Sequence, residues 1–427
     1  MNMLLSFGRQ TFYSLSVRNY RLYFTGQAFS LSGNWMQSVA LGWLVLQMTG
    51  SGTLLGTLLA FRFFPMLLLG PFAGTIVDRS DKRITLYVTQ SLHGLFTLIL
   101  SVLVFTDAAQ LWMLYSIAIL TGIVNAVDNP ARQTFVHEMV GREHLRNAVT
   151  LNSTEANLAR VVGPAIAGVL IATVGIAACF FLNALSFGAI LVMLALMRSD
   201  ELHREKRDTR VPRNWYAILP YLKTMPVLQS ILIAMALIGT LAYEFQVSLP
   251  VLAQTTFAGT AADYAALLSA MGAGSVAGGL FAASRKELAV QEFVLWAFLF
   301  GAALVVTAFM PSLGLATVGM VFVGFFSINM TSTANTILQL ESAPEMRGRV
   351  MSLWSMAIFG STLVGGPAIG FIGEHVDPRA ALAVGGAAAI LAAIFTAARI
   401  LGRESILKVP AWFAVRRQET TIGNTKL

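Results

Sequence analysis

Charged residues and cysteine are both scarce in this 427-residue chain. Charged side chains make up 12% of the sequence, about half the share found in a typical soluble domain, while hydrophobic ones make up 56%. This composition argues against a water-soluble globule. The single cysteine, Cys179, excludes an intrachain disulfide, a cysteine-based zinc site and an iron–sulfur cluster.

Motifs for nucleotides and catalytic zinc are missing as well. The sequence contains no Gly-Lys dipeptide and therefore no Walker A loop for ATP. His137-Glu138 begins like a zinc-hydrolase motif, but Gly141 stands where the second histidine is required. Its 5 histidines are scattered without a catalytic grouping. We therefore expect neither an enzyme nor a bound cofactor or metal.

Long apolar runs are abundant. A bilayer core about 30 Å thick needs roughly 20 apolar residues in a helix, because every backbone N–H and C=O must be bonded within that helix. We predict an all-α integral membrane protein with twelve transmembrane helices, at residues 22–48, 53–76, 84–105, 111–130, 148–173, 175–197, 227–249, 262–283, 291–310, 314–337, 349–373 and 380–400.

The basic residues support this topology. If both termini are cytoplasmic, 26 of the 29 Lys and Arg residues fall in cytoplasmic segments; Arg62 and Arg160 lie within helices and Arg379 faces out. The basic cluster at 198–226 then predicts a cytoplasmic loop, and nucleic acid is not an expected partner. Because the N-terminus lacks a signal-peptide cleavage site, we expect a mature multi-pass protein of the cell (inner or plasma) membrane that begins in the cytoplasm.

The two halves of the chain repeat each other at a nearly constant spacing. Gly70-Pro-Phe-Ala-Gly74 is echoed by Gly274-Ser-Val-Ala-Gly278, an offset of 204, and Gly163-Pro164 recurs as Gly366-Pro367, an offset of 203. Duplicated six-helix units of this type build secondary transporters. We predict two six-helix bundles, at 1–197 and 227–400. A central loop at 198–226 joins them, and a cytoplasmic tail follows at 401–427.

A family resemblance begins in the loop between predicted helices 2 and 3. Gly74-Thr-Ile-Val-Asp78-Arg79-Ser-Asp81-Lys82-Arg83 resembles motif A of the major facilitator superfamily, with Asp81 where that family commonly has glycine. Other stretches resemble the branch of transmembrane secretion effectors and enterobactin-exporter-like carriers: Arg21–Phe24, Gly26-Gln27, Trp35–Gln37, Asn125–Arg132 and Leu145–Asn152. The resemblance covers nearly the whole chain and implies the major facilitator fold.

The resemblance also implies a gate. In this family the motif A loop closes the cytoplasmic side against the start of helix 11. The implied gate residues are Gly74, Asp78, Arg79, Lys82, Arg83, Glu138, Arg146, Glu341 and Arg349, with Asp78 and Glu138 pairing to Arg349 and Glu341 pairing to Arg146. The alternative is that these are ordinary loop charges.

Helix 5 carries a second family motif. Gly163-Pro164-Ala-Ile-Ala-Gly168 resembles the antiporter motif that the family associates with exporters. Proline removes one backbone hydrogen bond and bends a membrane helix, and the flanking glycines permit close packing. A plain structural kink is the alternative.

Few ionisable side chains lie within the predicted helices, and such groups are costly unless they have a function or a partner. At 1.5 Å per residue, Arg62 and Arg160 both lie about 20 Å deep, so they need carboxylate partners or an anionic ligand. Glu244 is predicted to balance them or to take up a proton. Glu155 is predicted to shuttle a proton or to satisfy Arg132 or Arg146. Buried structural salt bridges are the alternative for all four.

Polar residues on helices 1, 7 and 10, which line the cavity in the superfamily, complete the predicted pathway: Gln27, Asn34, Gln37, Tyr243, Asn329 and Asn335. Aromatic residues nearby, such as Trp35, suit an amphipathic or aromatic cargo. Hydrogen bonding between helices is the alternative for each polar residue.

Together these features predict a proton-coupled exporter of a small amphipathic molecule, such as a siderophore, drug or metabolite, working by alternating access. The expected partners are the lipid bilayer, the small-molecule substrate and the proton, and the chain is expected to be a monomer. An importer of a small organic anion and a non-transporting receptor or scaffold of the carrier fold remain as alternatives.

Overall fold

The computed structural model describes residues 12–203, 218–285 and 289–400, without the side-chain surroundings of positions 71, 74–76, 78, 142 and 359. The predicted tail at 401–427 and the middle of the predicted loop at 198–226 lie outside these ranges. Within them the chain is helical and contains no strand. The predicted all-α fold class is confirmed.

Twelve long helices follow one another through the described ranges. They are α1 Arg18–Thr49, α2 Gly52–Arg79, α3 Lys82–Phe105, α4 Leu111–Gly141, α5 Glu143–Thr173, α6 Ile176–Ala195, α7 Pro226–Thr256, α8 Ala261–Ala283, α9 Val290–Ala308, α10 Leu313–Glu341, α11 Pro344–His375 and α12 Pro378–Ile400. A 3₁₀ turn, Tyr13–Ser16, precedes α1, and a short helix, Ile218–Thr224, precedes α7. Helix α4 is longer than predicted because it continues into a polar segment beyond residue 130.

Eleven of the described helices are long and apolar enough to cross a membrane by length and composition. Helix α1 is not among them, although it has 32 residues. Its polar side chains, including Asn19, Gln27, Asn34 and Gln37, lower its mean hydropathy. These side chains therefore need partners on other helices.

Four positions interrupt the helices, and one of them is the π turn Leu252–Thr256 at the end of α7. Gly141, with φ of 66°, joins α4 directly to α5 at a kink. Helix α7 is broken at 242–244, where the Glu244 carbonyl accepts from the N–H groups of Val247 and Ser248 and so restarts the helix. Helix α11 contains a π turn at Met356–Gly360. In membrane helices such irregular backbone is tolerated only where protein or a cavity surrounds it.

The bundle has two ends. We call the end that holds Arg18 and Ile400 the terminal end, and the other end, which holds the α1–α2 and α11–α12 connections, the opposite end. Within the first half α1 packs on α5 and α6, α2 on α4, and α3 on α6; within the second half α7 and α9 pack on α12, and α8 on α10. The most extensive contacts between the halves are made by two pairs, α2 with α11 and α5 with α8.

These two seams are built from small residues. A Cβ atom on Gly366 of α11 would lie 2.7 Å from the carbonyl oxygen of Gly56 on α2. A Cβ atom on Gly272 of α8 would lie 2.9 Å from the carbonyl oxygen of Arg160 on α5. The helices therefore touch backbone to backbone, which is how membrane helices gain van der Waals contact.

Candidate transport pathway and buried charges

Arg160 lies on the inner side of α5. Leu158, Val162 and Val169 mark the outer side of this helix, with 49%, 43% and 64% of their surfaces exposed. At roughly 100° per residue, Arg160 points almost directly away from that face. It is nevertheless exposed. Its exposed surface must therefore belong to an internal cavity rather than to the lipid-facing side.

Both halves surround the Arg160 side chain. Its Cζ atom lies 5.6 Å from the centre of the Trp35 ring on α1, and Tyr243 on α7 is close enough to interact with it electrostatically. The backbone of Arg160 touches α8 at Gly272. Among the described residues, its guanidinium forms neither an ion pair nor a hydrogen bond. The predicted carboxylate partner is therefore not present in this conformation.

Arg62 occupies a different place. It lines a small cleft inside the first half together with Gln37, Leu41 and Thr121. No carboxylate in the described ranges forms an ion pair with it. The two arginines have different environments, because Arg160 lies between the halves and Arg62 lies inside its own half.

A buried ion pair lies on α4. Asp128, with 1% of its side chain exposed, accepts from Arg132 Nη2 at 2.6 Å and Nε at 3.1 Å. Thr89 Oγ1 and Gln90 Nε2 on α3 donate to the other carboxylate oxygen at 2.6 and 2.7 Å. Four donated hydrogen bonds offset the cost of burying this carboxylate and bind α3 to α4.

Glu155 on α5 lies beside this pair without joining it. Its side chain is buried, and neither carboxylate oxygen has a hydrogen-bond partner among the described residues. Arg132 interacts with it electrostatically but bonds to Asp128 instead. The Tyr23 hydroxyl on α1 interacts electrostatically with both groups and is also unbonded. Arg132, one of the two predicted partners of Glu155, is therefore close to it. The other predicted partner, Arg146, has an exposed side chain.

Glu244 sits at the break in α7 and faces α11. Its Oε1 atom is buried without a hydrogen-bond partner, and a Cβ on Gly365 would lie 3.0 Å from it. The prediction that Glu244 balances Arg62 and Arg160 is wrong in this conformation, since the carboxylate forms no ion pair with either. The rise per residue gave its position along the helix but could not give its direction around the helix.

Several predicted cavity residues bond between helices instead. Gln37 Oε1 accepts from Asn183 Nδ2 at 2.5 Å and from Thr97 Oγ1 at 3.1 Å, which joins α1 to α6 and α3. Asn34 Oδ1 accepts from the same Asn183 amide at 3.4 Å. Gln27 is buried, and its Oε1 atom has no hydrogen-bond partner within the described ranges.

On α10 the two predicted residues differ. Asn329 has no exposed surface, accepts from Arg285 Nη2 at 2.9 Å and donates to the Gly278 carbonyl at 3.2 Å. The cavity assignment of Asn329 is therefore corrected to a structural one. Asn335 is half-buried and accepts from Gln339 at 2.5 Å. On α7, the Tyr243 hydroxyl lies 2.5 Å from Ser327 Oγ.

Motif A organises the terminal end of the first half. Asp81 is the N-cap of α3 and accepts from the N–H groups of Arg83 and Ile84 at 2.9 and 3.2 Å. The Arg83 side chain donates to the carbonyls of Leu194 and Ala195 at the end of α6. An aspartate replaces the family's glycine here because it supplies the cap for α3. Arg79 is exposed.

The predicted gate pairs remain predictions. Lys82 Nζ lies 3.9 Å from Glu138 Oε1, so Glu138 interacts with its own half. Arg146 and Glu341 are both exposed, and the structure records no ion pair between them in its described ranges. The surroundings of Gly74 and the Asp78 side chain lie outside the described residues. Arg349 contacts Met346 Sδ at 3.0 Å within α11.

The antiporter-like motif lies where α5 crosses two other helices. A Cβ on Gly163 would lie 2.5 Å from Trp35 Cβ and 2.6 Å from the Ser32 carbonyl on α1. A Cβ on Gly168 would lie 3.0 Å from Ala265 on α8. Pro164 lies between these two contacts, within the continuous helix. The motif therefore connects one helix of its own half with one of the other half.

A polar contact joins the halves at the opposite end. Glu374 Oε2 on α11 accepts from Ser51 Oγ at 2.6 Å and from the Thr53 N–H at 3.0 Å. Ser51 is also the N-cap of α2, where it accepts from the Leu54 N–H. A carboxylate at a helix N-terminus is favourable because of the exposed N–H groups and the helix dipole. The α2–α11 seam is thus closed by an anion at its end.

The sequence arguments missed three of these features, one of which is the Asp128–Arg132 pair. Glu374 gave no sequence signal, since it looks like an ordinary loop charge. The buried pair of Arg285 and Glu292, whose atoms Nη1 and Oε2 are 2.6 Å apart, had one: Arg285 follows Lys82 by 203 residues, the offset that relates the halves. Arg285 also lies over the rings of Phe281 and Trp296.

Twelve helices in two halves, with an accessible arginine between them, are features of a membrane transporter of the major facilitator type. The chain belongs to the transmembrane secretion effector family, whose sequence profile matches residues 10–411. The predicted family is confirmed.

The staphyloferrin A transporter of Staphylococcus aureus (strain NCTC 8325 / PS 47) is 29% identical over 338 residues, which cover 78% of this chain and 85% of that protein. The enterobactin exporter of Shigella boydii serotype 4 is 24% identical and covers 86% of this chain and 88% of its own. A bacterial homologue of the human lysosomal transporter Spinster, solved in an inward-facing and occupied conformation, has a TM-score of 0.67 at 13% identity, covering 89% of this chain and 94% of its own.

Proposed function

We propose that this protein is a proton-coupled exporter of small amphipathic molecules, with both termini in the cytoplasm. The observation that carries the proposal is the accessible surface of Arg160, which lies between two halves joined by small-residue seams. Such a cavity is where secondary transporters hold their cargo. Relatives named as an enterobactin exporter and a staphyloferrin A transporter support a small-molecule cargo and an export direction.

Under this topology the contacts between the halves supply a closure at the opposite end. The opposite end then faces outward, and there the halves are in contact: Phe245–Val251 of α7 packs on α1 and α2, and Glu374 bonds to Ser51 and Thr53. Arg160 lies beneath these contacts on a solvent-accessible surface. Export would follow when the halves rock apart at the opposite end and close at the terminal end, where motif A lies.

Buried carboxylates with unused hydrogen-bonding capacity support proton coupling. Glu155 has two unbonded oxygens and Glu244 has one. Ionisable groups in this situation form proton relays in transporters. Glu155 is the stronger candidate, since Arg132 and the Tyr23 hydroxyl lie close enough to respond to its charge.

Replacing Glu155 with Gln is expected to reduce gradient-driven transport by about tenfold or more, equal to a barrier increase of about 1.4 kcal/mol. The amide keeps the shape of the side chain but cannot carry a proton. Uptake of a tritiated amphipathic panel into inverted membrane vesicles, with and without a protonophore, measures the effect. Glu244→Gln is tested in parallel, and Glu345→Gln at the exposed start of α11 is the matched control.

Two outcomes contradict the proposal. Uptake that continues at the same rate after the protonophore removes the proton as coupling ion. Full gradient-driven uptake in both Glu155→Gln and Glu244→Gln removes these carboxylates from the coupling step. Vesicles of the native orientation distinguish export from import. An importer of organic anions would accumulate the probes in these vesicles and not in the inverted ones.

Replacing Glu374 with Gln is expected to open the opposite end more often. The change removes the charge that receives the Ser51 and Thr53 hydrogen bonds, and a hydrogen bond to a charged group contributes about 1 kcal/mol or more, so the open population should rise about fivefold. Spin labels at Asp107 and Val376, in a Cys179→Ala background, report the distance between the halves. Asp377→Asn is the control, since Asp377 bonds within its own half to the Arg379 N–H. An unchanged distance distribution in Glu374→Gln would contradict the expectation.

A further inference from the structure

We infer that Arg160 is the anchor for an oxyanion group of the cargo. The cargo class is then amphipathic molecules that carry a carboxylate, sulfonate or similar anionic oxygen group beside an aromatic or apolar part. The inference rests on the proposed transport function, because it assumes that cargo enters the cavity that Arg160 faces.

The first argument is charge. An arginine at the middle of a membrane protein is costly unless water or an anion compensates it. The buried acidic side chains of α5 and α7 are directed elsewhere: Glu155 towards Arg132, and Glu244 towards Gly365 on α11. The negative charge that complements Arg160 is therefore left for a ligand to supply.

The second argument is geometry. A guanidinium carries five N–H donors in a planar fork that matches the two oxygens of a carboxylate or sulfonate. The Trp35 ring lies 5.6 Å from Cζ and attracts the cation without offering an oxygen acceptor to its N–H groups. No hydrogen bond to a described residue uses these donors. Because the arginine is held by an aromatic ring instead of a carboxylate, an incoming anion does not have to break an existing ion pair.

The third argument concerns the remainder of the cargo. Trp35 belongs to the first half and Tyr243 to the second. The Tyr243 ring lies 5.9 Å from the Phe245 ring and 5.7 Å from the Phe300 ring, and its hydroxyl is held by Ser327. A cargo with an aromatic part can contact both rings while its anion binds Arg160. It would then bridge the two halves, and its binding would depend on how they are arranged.

The test uses a matched probe pair, tritiated naphthalene-2-sulfonate and naphthalene-2-sulfonamide, which share their rings and differ in charge. Equilibrium binding to the purified full-length protein in a neutral detergent is measured by scintillation proximity. We expect the sulfonate to bind about tenfold more tightly than the sulfonamide, and Arg160→Gln to abolish this preference. Arg160→Lys keeps the charge but loses the fork, and should retain part of it.

Matched controls distinguish an effect specific to Arg160 in the cavity from a general effect of removing an arginine. Arg399 lies over the Phe395 ring at 5.8 Å near the end of α12, so Arg399→Gln removes a similar arginine–aromatic pair outside the cavity and should leave the preference unchanged. Trp35→Phe should weaken binding of both probes alike. If Arg160→Gln does not yield folded protein, the sulfonate preference of the wild type and of Arg160→Lys still tests the inference.

A wild-type protein that does not prefer the sulfonate overturns the inference, as does a preference that survives in Arg160→Gln or Arg160→Lys undiminished. These binding experiments need no ion gradient, so a failure of proton coupling leaves them unaffected. Conversely, gradient-driven transport without an anion preference would leave the proposed function standing and remove only this assignment.

Discussion

Replacing Arg132 with Met is expected to destabilise the protein by about 3–5 kcal/mol, because it leaves the Asp128 carboxylate buried without its cation. Asp128 has 1% of its side chain exposed, so water cannot take the place of the guanidinium. Thr89 and Gln90 would still donate to one oxygen, but the oxygen that Arg132 contacts through two N–H groups would lose both. The thermal midpoint of the purified protein and its monodisperse fraction measure the loss.

The double variant Asp128→Asn with Arg132→Met is the control that isolates charge. Removing both partners of a buried ion pair costs far less than removing one, since no charge remains buried. We expect the double variant to recover most of the stability lost in Arg132→Met. Equal losses in the single and double variants would show that packing of the arginine stem, and not the uncompensated carboxylate, holds α3 and α4 together.

Replacing Gly56 with Ala is expected to cost about 1–3 kcal/mol and to loosen the α2–α11 seam. The new methyl group would meet the backbone of Gly366, which cannot rotate away as a side chain can. Gly70→Ala is the matched control in the same helix, because a Cβ there meets nothing within 4 Å. The control should change stability by no more than about 1 kcal/mol in either direction.

A crosslink across the seam reports the same change structurally. Cysteines at Ser51 and Glu374 in a Cys179→Ala background can be joined by a short bifunctional thiosulfonate, since the native side chains are 2.6 Å apart. The yield should fall in Gly56→Ala and stay unchanged in Gly70→Ala. If both alanine variants crosslink equally well, the seam tolerates the extra atoms and the glycine is not required for close approach.

The fold followed from the sequence because its signals are long and redundant. Twelve apolar runs, segregated charge and a repeat offset of 203 to 204 residues each lead to two six-helix bundles. Hydropathy alone ranks α1 below the other helices, because polar side chains interrupt the apolar run that the sequence predicts at 22–48. The extension of α4 to Gly141 was missed because its last turns are polar.

Only part of the candidate site could be predicted from the sequence. The rise per residue placed Arg62 and Arg160 at one depth, but depth does not say which way a side chain points around its helix. For that reason the structure separates the two arginines, turns Glu244 towards α11 and converts Asn329 from a cavity residue to a partner of Arg285. The pairing of Asp128 with Arg132 was available from their i, i+4 spacing on α4.

The polar contacts of α1 have a consequence for how the protein is made. Tyr20 donates to the Ala148 carbonyl, Gln37 accepts from Asn183, and Asn19 bonds to the backbone of Arg198, so every one of these partners is synthesised more than 100 residues later. Helix α1 also lacks the mean hydropathy of the other helices. During biogenesis it must therefore wait at the translocon or the bilayer surface, or be held by a chaperone, until α5 and α6 arrive. A nascent chain arrested before residue 145 is accordingly expected to leave α1 extractable by alkaline carbonate, whereas one arrested after residue 200 should not.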